Sequence, residues 1–278
     1  MMQEALREKE KHLENILQSV GSALVAFSGG VDSSYLLYKA GQILGKDRVL
    51  AVTAASALFP AQETARARDF AREHVFTHLV IQSQALANSM VTRNPPERCY
   101  YCKSALFSGL VELAHKKKLA RVLDGANVDD TGDYRPGLKA ARELGVLSPL
   151  LEAGLTKEQI RQLSREAGLP TWNQPAAACL ASRIPYGEPL TTEKLEMIAA
   201  GEEFLASRGY QRVRLRCHGP VARLEVPPQD FARLLAEKDL VVSQLKELGL
   251  VYVTLDLEGL RSGSMNQVLE KDDVEPSP

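Results

Sequence analysis

The residues best placed to do chemistry run Ser28-Gly29-Gly30-Val31-Asp32-Ser33-Ser34. The two glycines let the backbone approach a ligand closely. Asp32, Ser33 and Ser34 stand where a helix should begin, and their side-chain oxygens suit the capping of free amides. Unpaired N–H groups and the positive end of a helix dipole would meet at one point, so the stretch reads as an anion site. It is not G-x-x-x-x-G-K-[ST], because the first lysine after Gly30 is Lys39, and it is not G-x-G-x-x-G. The competing reading is a plain glycine turn capping an ordinary helix. An apolar strand before it and a helix after it favour the anion site.

Four further groups follow. Arg98-Cys-Tyr-Tyr-Cys-Lys places Cys99 and Cys102 at a spacing that suits two thiolates on one metal centre. A thioredoxin-like redox pair is the weaker alternative, since no strand of that type precedes it. Asp124-Gly-Ala-Asn-Val-Asp-Asp gathers Asp124, Asn127, Asp129 and Asp130, and magnesium takes one or two carboxylates plus phosphate oxygens. A polar turn rich in Asx caps is the bland alternative. Beyond it, Arg135 suits two-pronged contact with a phosphate or carboxylate. Residues 173–187, with Cys179 and Arg183, lack any periodicity and read as a functional loop. Finally, Arg212, Arg214 and Arg216 alternate with Val213, Leu215 and Cys217. A solvated face is the usual outcome of such a pattern. Here no acidic residue interleaves, so a bound polyanion such as a phosphorylated substrate would relieve the repulsion. Cys217 falls on the apolar face and reads as core.

The elements that must position these groups alternate. Residues 23–27 are small and apolar, a buried strand, and a helix follows from Val31. Residues 49–55 and 77–82 read as strands, 60–75 as a helix, 103–115 as a helix after Pro95 and Pro96, and Arg121 onward as the next strand. Such alternation predicts a parallel sheet with helices on both faces and a ligand beyond the carboxyl ends of the strands. Residues 3–19 form an amphipathic lead-in helix, and Thr156-Lys-Glu-Gln is a capping box that opens a helix to about Ala167. After the irregular loop come a helix over 191–208, strands at 211–219 and 221–226, one or two helices within 229–247 and a last strand at 250–256. The expected fold class is α/β: a parallel-sheet nucleotide domain over 1–170, a smaller C-terminal α+β domain over 171–268, and a disordered acidic tail over 269–278.

Composition excludes several classes. The 278 residues are 45% hydrophobic and 25% charged, as in ordinary globular proteins. A net charge of −1 makes no global electrostatic case for nucleic acid. No apolar run reaches about 18 residues, so no membrane span is expected. The charged N-terminal segment is not a signal peptide, which points to the cytoplasm. Four cysteines in that setting favour metal binding or catalysis over disulfides.

Phe27-Ser-Gly-Gly-Val-Asp-Ser-Ser resembles the PP-loop of the ATP pyrophosphatases, which cleave ATP between the α and β phosphates and adenylate a carboxyl or carbonyl oxygen. Together with the Cys99, Asp124 and Asp133 segments, Cys179-Leu-Ala-Ser-Arg-Ile-Pro-Tyr-Gly, Val213-Arg-Leu-Arg-Cys-His-Gly and Arg261-Ser-Gly-Ser-Met-Asn, it resembles the LarE family of PP-loop sulfur transferases over nearly the whole chain. That resemblance implies ATP and Mg2+ as cofactors and pyridinium-3,5-biscarboxylic acid mononucleotide as substrate. Its carboxylates would be adenylated and converted to thiocarboxylates for the nickel-pincer nucleotide of lactate racemase. Nucleotide contacts then fall to Ser28, Gly29, Gly30, Asp32, Ser33, Ser34, Gly125 and Asp130, with adenine near Thr53 and magnesium near Asp129. Substrate contacts fall to Arg135, Arg183, Arg214 and Arg216, with Glu202, Glu225 and Asp230 nearby.

For the sulfur, two routes are implied. Cys179 gives up its own sulfur and is left as dehydroalanine. Alternatively Cys99, Cys102 and Cys179 hold a 4Fe-4S cluster whose fourth iron carries sulfide, or sulfur from another donor. The three-cysteine pattern favours the cluster. A homo-oligomer built on the C-terminal domain is also implied. An ammonia-using PP-loop synthetase is an alternative that needs no cysteine; a tRNA-thiolating enzyme is another, weakened by the net charge.

Overall fold

A computed structural model describes residues 2–131, 136–174 and 179–261. The chain divides into two compact units, Met1–Ala177 and Ala178–Pro278.

The first unit opens with helix α1 (Met2–Val20) and strand β1 (Ala23–Ala26). There follow α2 (Val31–Leu44), β2 (Val49–Ala55), α3 (Ala61–Glu73) and β3 (Thr77–Gln82). The short α4 (Ser89–Thr92) leads to the long α5 (Arg98–Lys116) and β4 (Arg121–Leu123). Helices α6 (Pro136–Glu143), α7 (Pro149–Glu152) and α8 (Lys157–Glu166) complete the unit. The strands pair in parallel in the order β3-β2-β1-β4. β1 is covered on both faces. Ala23, Val25 and Phe27 join a core with α1, α2, α3 and α8, whereas Leu24 joins Leu50, Val52, Phe107 and Leu110 on the other side. This is the expected parallel sheet with helices on both faces. Among the described residues no helix is long and apolar enough to cross a membrane.

The strand order places the site. The chain runs from β1 outward through β2 to β3, then crosses back to lay β4 on the other side of β1. Connections diverge at the carboxyl ends of β1 and β4, leaving a crevice there. The loop of residues 28–30 leaves β1 at that end, and the loop of residues 124–131 leaves β4 beside it.

The second unit holds α9 (Thr192–Ser207), β5 (Arg214–His218), β6 (Val221–Glu225), α10 (Phe231–Ala236), α11 (Lys238–Glu247) and β7 (Tyr252–Leu255). β5 and β6 are an antiparallel hairpin and β7 pairs with β6 in parallel. Its core includes Leu195, Ile198, Leu215, Cys217 and Leu245.

Some boundaries differ from expectation. α5 begins at Arg98 rather than near Lys103, because Arg98 is buried and its guanidinium donates to the Asn94 side chain. Cys99 and Cys102 therefore stand in the first two turns of a 19-residue helix, inside it rather than at the boundary before it. β5 begins at Arg214, so Arg212 lies before the strand. Arg135, the 175–178 stretch and the tail beyond Arg261 lie outside the described residues.

Candidate active site

The loop after β1 is stitched by its own side chains. Ser33 Oγ donates to Gly30 O (3.2 Å) and stands 3.0 Å from Ser28 Oγ, and Ser28 N donates to Ser33 Oγ (3.2 Å). The expected capping of helix amides is absent: the α2 N-terminus at Gly30 has no side-chain cap. The serines shape the loop and leave the amide end of α2 to a ligand, as an anion site requires. Gly29 has φ +78° and lies against Ala67 of α3; a Cβ there would come within 3.1 Å of the Ala67 Cβ. Gly125 packs on the same helix start, where a Cβ would meet Ser33 N at 3.0 Å. The β4 loop thus closes onto the first turn of α2 only because position 125 has no side chain.

A cavity of about 150 Å³ opens at this loop, lined by Ser28 to Asp32 together with Phe59, Arg66, Lys157 and Gln174. Lys157, in the first turn of α8, donates to Asp32 Oδ2 at 3.2 Å, and both side chains are partly exposed. The other carboxylate oxygen of Asp32 is buried and without a partner. Burial raises the Asp32 carboxyl above its ordinary value; Lys157 pulls it down and nearby Asp130 adds to the rise. The capping box at the head of α8 is present as the sequence suggested, with Thr156 and Gln159 bonding reciprocally. It fixes Lys157 opposite Asp32.

The β4 loop keeps most of its acceptors for itself. Asp124 Oδ1 accepts from Ala126 N and Ser148 Oγ, Asp130 Oδ2 accepts from Asn127 N, and Asn127 Oδ1 accepts from Asp129 N. Asp129 Oδ2 accepts from the backbone N of Lys157 at 2.6 Å, so this carboxylate caps α8. Asx caps run through this loop, and one oxygen of Asp129 is spent on the head of α8. Thr53 is buried, and its hydroxyl donates to Phe27 O at 2.7 Å while standing 2.8 Å from His78 Nε2. With the hydroxyl proton on Phe27 O, His78 is the donor. Burial lowers the His78 pKa, which suits this neutral ring. Thr53 therefore braces the residue before the loop.

Cys99 is exposed and Cys102 half-buried, and all four cysteines are free thiols. Burial pushes the Cys102 thiol above its ordinary value. Among the described residues no group of three or more His, Cys, Asp or Glu side chains is arranged to hold a metal ion.

In the second unit the arginines already have carboxylate partners. Arg216 is buried and forks onto Glu225 with bonds of 2.9 and 3.0 Å, and it also donates to Ser182 O. Arg223 reaches the same Glu225 at 3.1 Å, and Arg214, directly across the hairpin, lies 3.9 Å away. Arg183 forks onto Glu202, which also accepts from Leu215 N. No acidic residue interleaves with the arginines within β5, but Glu225 on the neighbouring β6 supplies the relief. Arg214 remains partly exposed. Burial and the adjacent positive charges of Arg216 and Arg183 lower its pKa, a setting in which an arriving anion is stabilising. Sequence reasoning missed Lys157, Arg66 and Phe59; the capping box at Thr156 was the available signal for Lys157.

No family model matches the chain. An uncharacterised protein of Synechocystis is 42% identical over 94% of this chain and 99% of its own length. The pyridinium-3,5-bisthiocarboxylic acid mononucleotide synthase of Lactiplantibacillus plantarum is 40% identical over 96% of each chain. One of the subunits of the glutamine-hydrolysing GMP synthase of Thermoplasma acidophilum is 32% identical over 78% of this chain and 71% of its own. The GMP synthase likeness accounts for the uncapped helix end and close-packed glycines of the first unit as a PP-loop, and the two fuller matches extend through the arginine-rich second unit, so the chain belongs to the LarE family of PP-loop enzymes.

Proposed function

We propose that this enzyme is the ATP-dependent sulfur transferase that adenylates the carboxylates of pyridinium-3,5-biscarboxylic acid mononucleotide and converts them to thiocarboxylates. The observation that carries the reading is the uncapped α2 N-terminus faced by Lys157, in a chain 40% identical to a synthase named for the bisthiocarboxylate product.

The chemistry follows from what the groups can do. A carboxylate resists nucleophiles because its oxygen is a poor leaving group. Attack of that oxygen on the α-phosphorus of ATP expels pyrophosphate with the bonding pair and leaves an acyl adenylate. The loop amides and Lys157 stabilise charge on the phosphates as it develops. A sulfur nucleophile then attacks the acyl carbon and AMP departs. Arg214, partly exposed although its Nη1 donates to Arg261 O at 2.6 Å, is the cation offered to the substrate phosphate, whereas Arg216 holds the site's framework through Glu225. Cys99 and Cys102, one helical turn apart, would be two ligands of a cluster, and Cys179 its third. Such a cluster would supply sulfur for transfer without consuming Cys179. Self-association through the second unit belongs to the same reading, supported by the exposed Leu235, Leu240, Val251, Tyr252 and Leu257.

The test is anaerobic protein, assayed for iron and sulfide, then given ATP and the dicarboxylate mononucleotide. Pyrophosphate and a thiocarboxylate are expected. An amide formed with ammonia instead would assign the chain to the GMP synthase type of chemistry, and ATP consumption without pyrophosphate would end the adenylation reading. In the same assay Lys157→Ala is expected to weaken ATP binding about tenfold, the scale of one charge-assisted contact. The backbone N that Asp129 caps is retained in that variant, so the fold is kept. Unchanged calorimetric affinity would remove Lys157 from the phosphate contacts.

A further inference from the structure

Helix α1 carries a lysine within its apolar row. Lys9 stands three residues after Leu6 and four before Leu13, both buried, so it shares their core-facing side and is itself half-buried. A cation is kept at such a position where it finds partners. Lys9 finds two, both at the head of α8. Its Nζ donates to Gly154 O at 2.6 Å and to Gln159 Oε1 at 3.1 Å. Gln159 closes the capping box of α8, and the same Oε1 accepts from Thr156 N at 3.1 Å. A carboxamide oxygen has two lone pairs; the cap takes one and Lys9 the other. Lys157 follows Thr156 directly, and its ammonium reaches Asp32 at the phosphate loop. The next residue of α1, Glu10, accepts from Tyr35 and Lys39 of α2 at 3.1 and 3.2 Å. α1 therefore grips both helices that present Asp32 and Lys157 to the nucleotide cavity, α2 through Glu10 and α8 through Lys9.

We propose that Lys9 is a positioning residue that sets the Lys157 ammonium at the phosphate site. It acts through the Gly154 carbonyl and the capping box, not by contact with the nucleotide. Without it, the Gly154 carbonyl and one lone pair of Gln159 turn to water, and the head of α8 loses its tie to α1. A shift of that head moves the ammonium, and its attraction for a phosphate falls with distance. A bare core-packing role for α1 would not single out Lys157. The inference rests on the reading of Lys157 as a phosphate contact.

The experiment is a double-mutant cycle on the full chain, read as calorimetric ATP affinity without the mononucleotide, so that no adenylate forms. Lys9→Met keeps the apolar stem and removes the donors. It is expected to weaken ATP binding about fivefold, less than Lys157→Ala, because the ammonium is displaced and not removed. In the Lys157→Ala background the same substitution should cause no further loss, since residues acting through one contact are not additive. The urea midpoint should fall equally in both backgrounds, which sets the structural share of Lys9 apart from the coupling. Lys9→Gln, which keeps a neutral donor, runs through the same cycle with the same expected sign and guards against a folding defect in the methionine variant. An affinity loss equally large with and without Lys157, or none in either background, overturns the proposal while leaving Lys157 as a phosphate contact. Unchanged affinity in Lys157→Ala overturns both.

Discussion

A Cys179→Ala enzyme is expected to release pyrophosphate from ATP in the presence of the dicarboxylate mononucleotide and to form no thiocarboxylate, a loss on the order of a thousandfold or more. Both sulfur routes pass through this residue, as the sulfur itself or as a ligand, so this result tests sulfur transfer and not the route. The route is read from Cys99 and Cys102. They stand within the first two turns of α5, and burial raises the Cys102 thiol above its ordinary value. A protonated thiol is a poor nucleophile, so Cys102 gains a role chiefly where a cation displaces its proton. Cys99→Ser and Cys102→Ser are thus expected to lose iron together with repeated turnover. If both retain full multi-turnover activity while Cys179 becomes dehydroalanine after one transfer, the cluster is dismissed and the sacrificial route stands. A Cys179→Ala enzyme that still thiolates would dismiss both.

The first unit was legible because its signals are local. Small apolar residues ending in Ser28-Gly29-Gly30 require a strand, a turn and a helix start within one short segment, and the capping box at Thr156 names its own helix end. The β4 loop was half legible. Its Asx residues announced a turn, but Asp129 is taken by the Lys157 amide, 28 positions away in sequence. No spacing rule reaches that far. Adenine near Thr53 came from the family resemblance alone, and no spacing in the sequence shows that its hydroxyl is committed across the sheet to Phe27 and His78. The start of α5 was misplaced because the two prolines were given more weight than the buried Arg98 that anchors the helix. In the second unit the alternation of β5 was read correctly as a strand, but its charge balance was sought along one strand. Cross-strand register decides it, and register is set by which residues face each other after folding.

That register gives the largest stability effect in the second unit. Glu225 is fully buried, takes both prongs of Arg216 and a bond from Arg223, and stands opposite Arg214. Glu225→Ala removes the carboxylate and leaves the buried Arg216 guanidinium without its counter-charge, which is expected to cost on the order of 3–5 kcal/mol. The signature is a lower urea midpoint for the unfolding transition of the second unit, with ATP affinity unchanged in the first. Glu225→Gln should lose less, since an amide still accepts from one prong. Adding Arg216→Met to Glu225→Ala should recover much of the loss, because the penalty lies in the stranded charge and not in the missing bonds. A midpoint unmoved in Glu225→Ala would mean that Arg216 reaches solvent or another anion, and the substrate phosphate would then fall to Arg216 as readily as to Arg214. With the midpoint lowered as expected, Arg214→Ala separates the roles: it should raise the KM for the mononucleotide while leaving the fold and pyrophosphate chemistry at saturation in place, because Arg214 is partly exposed and 3.9 Å from Glu225, whereas Arg216 is buried and closely paired with it.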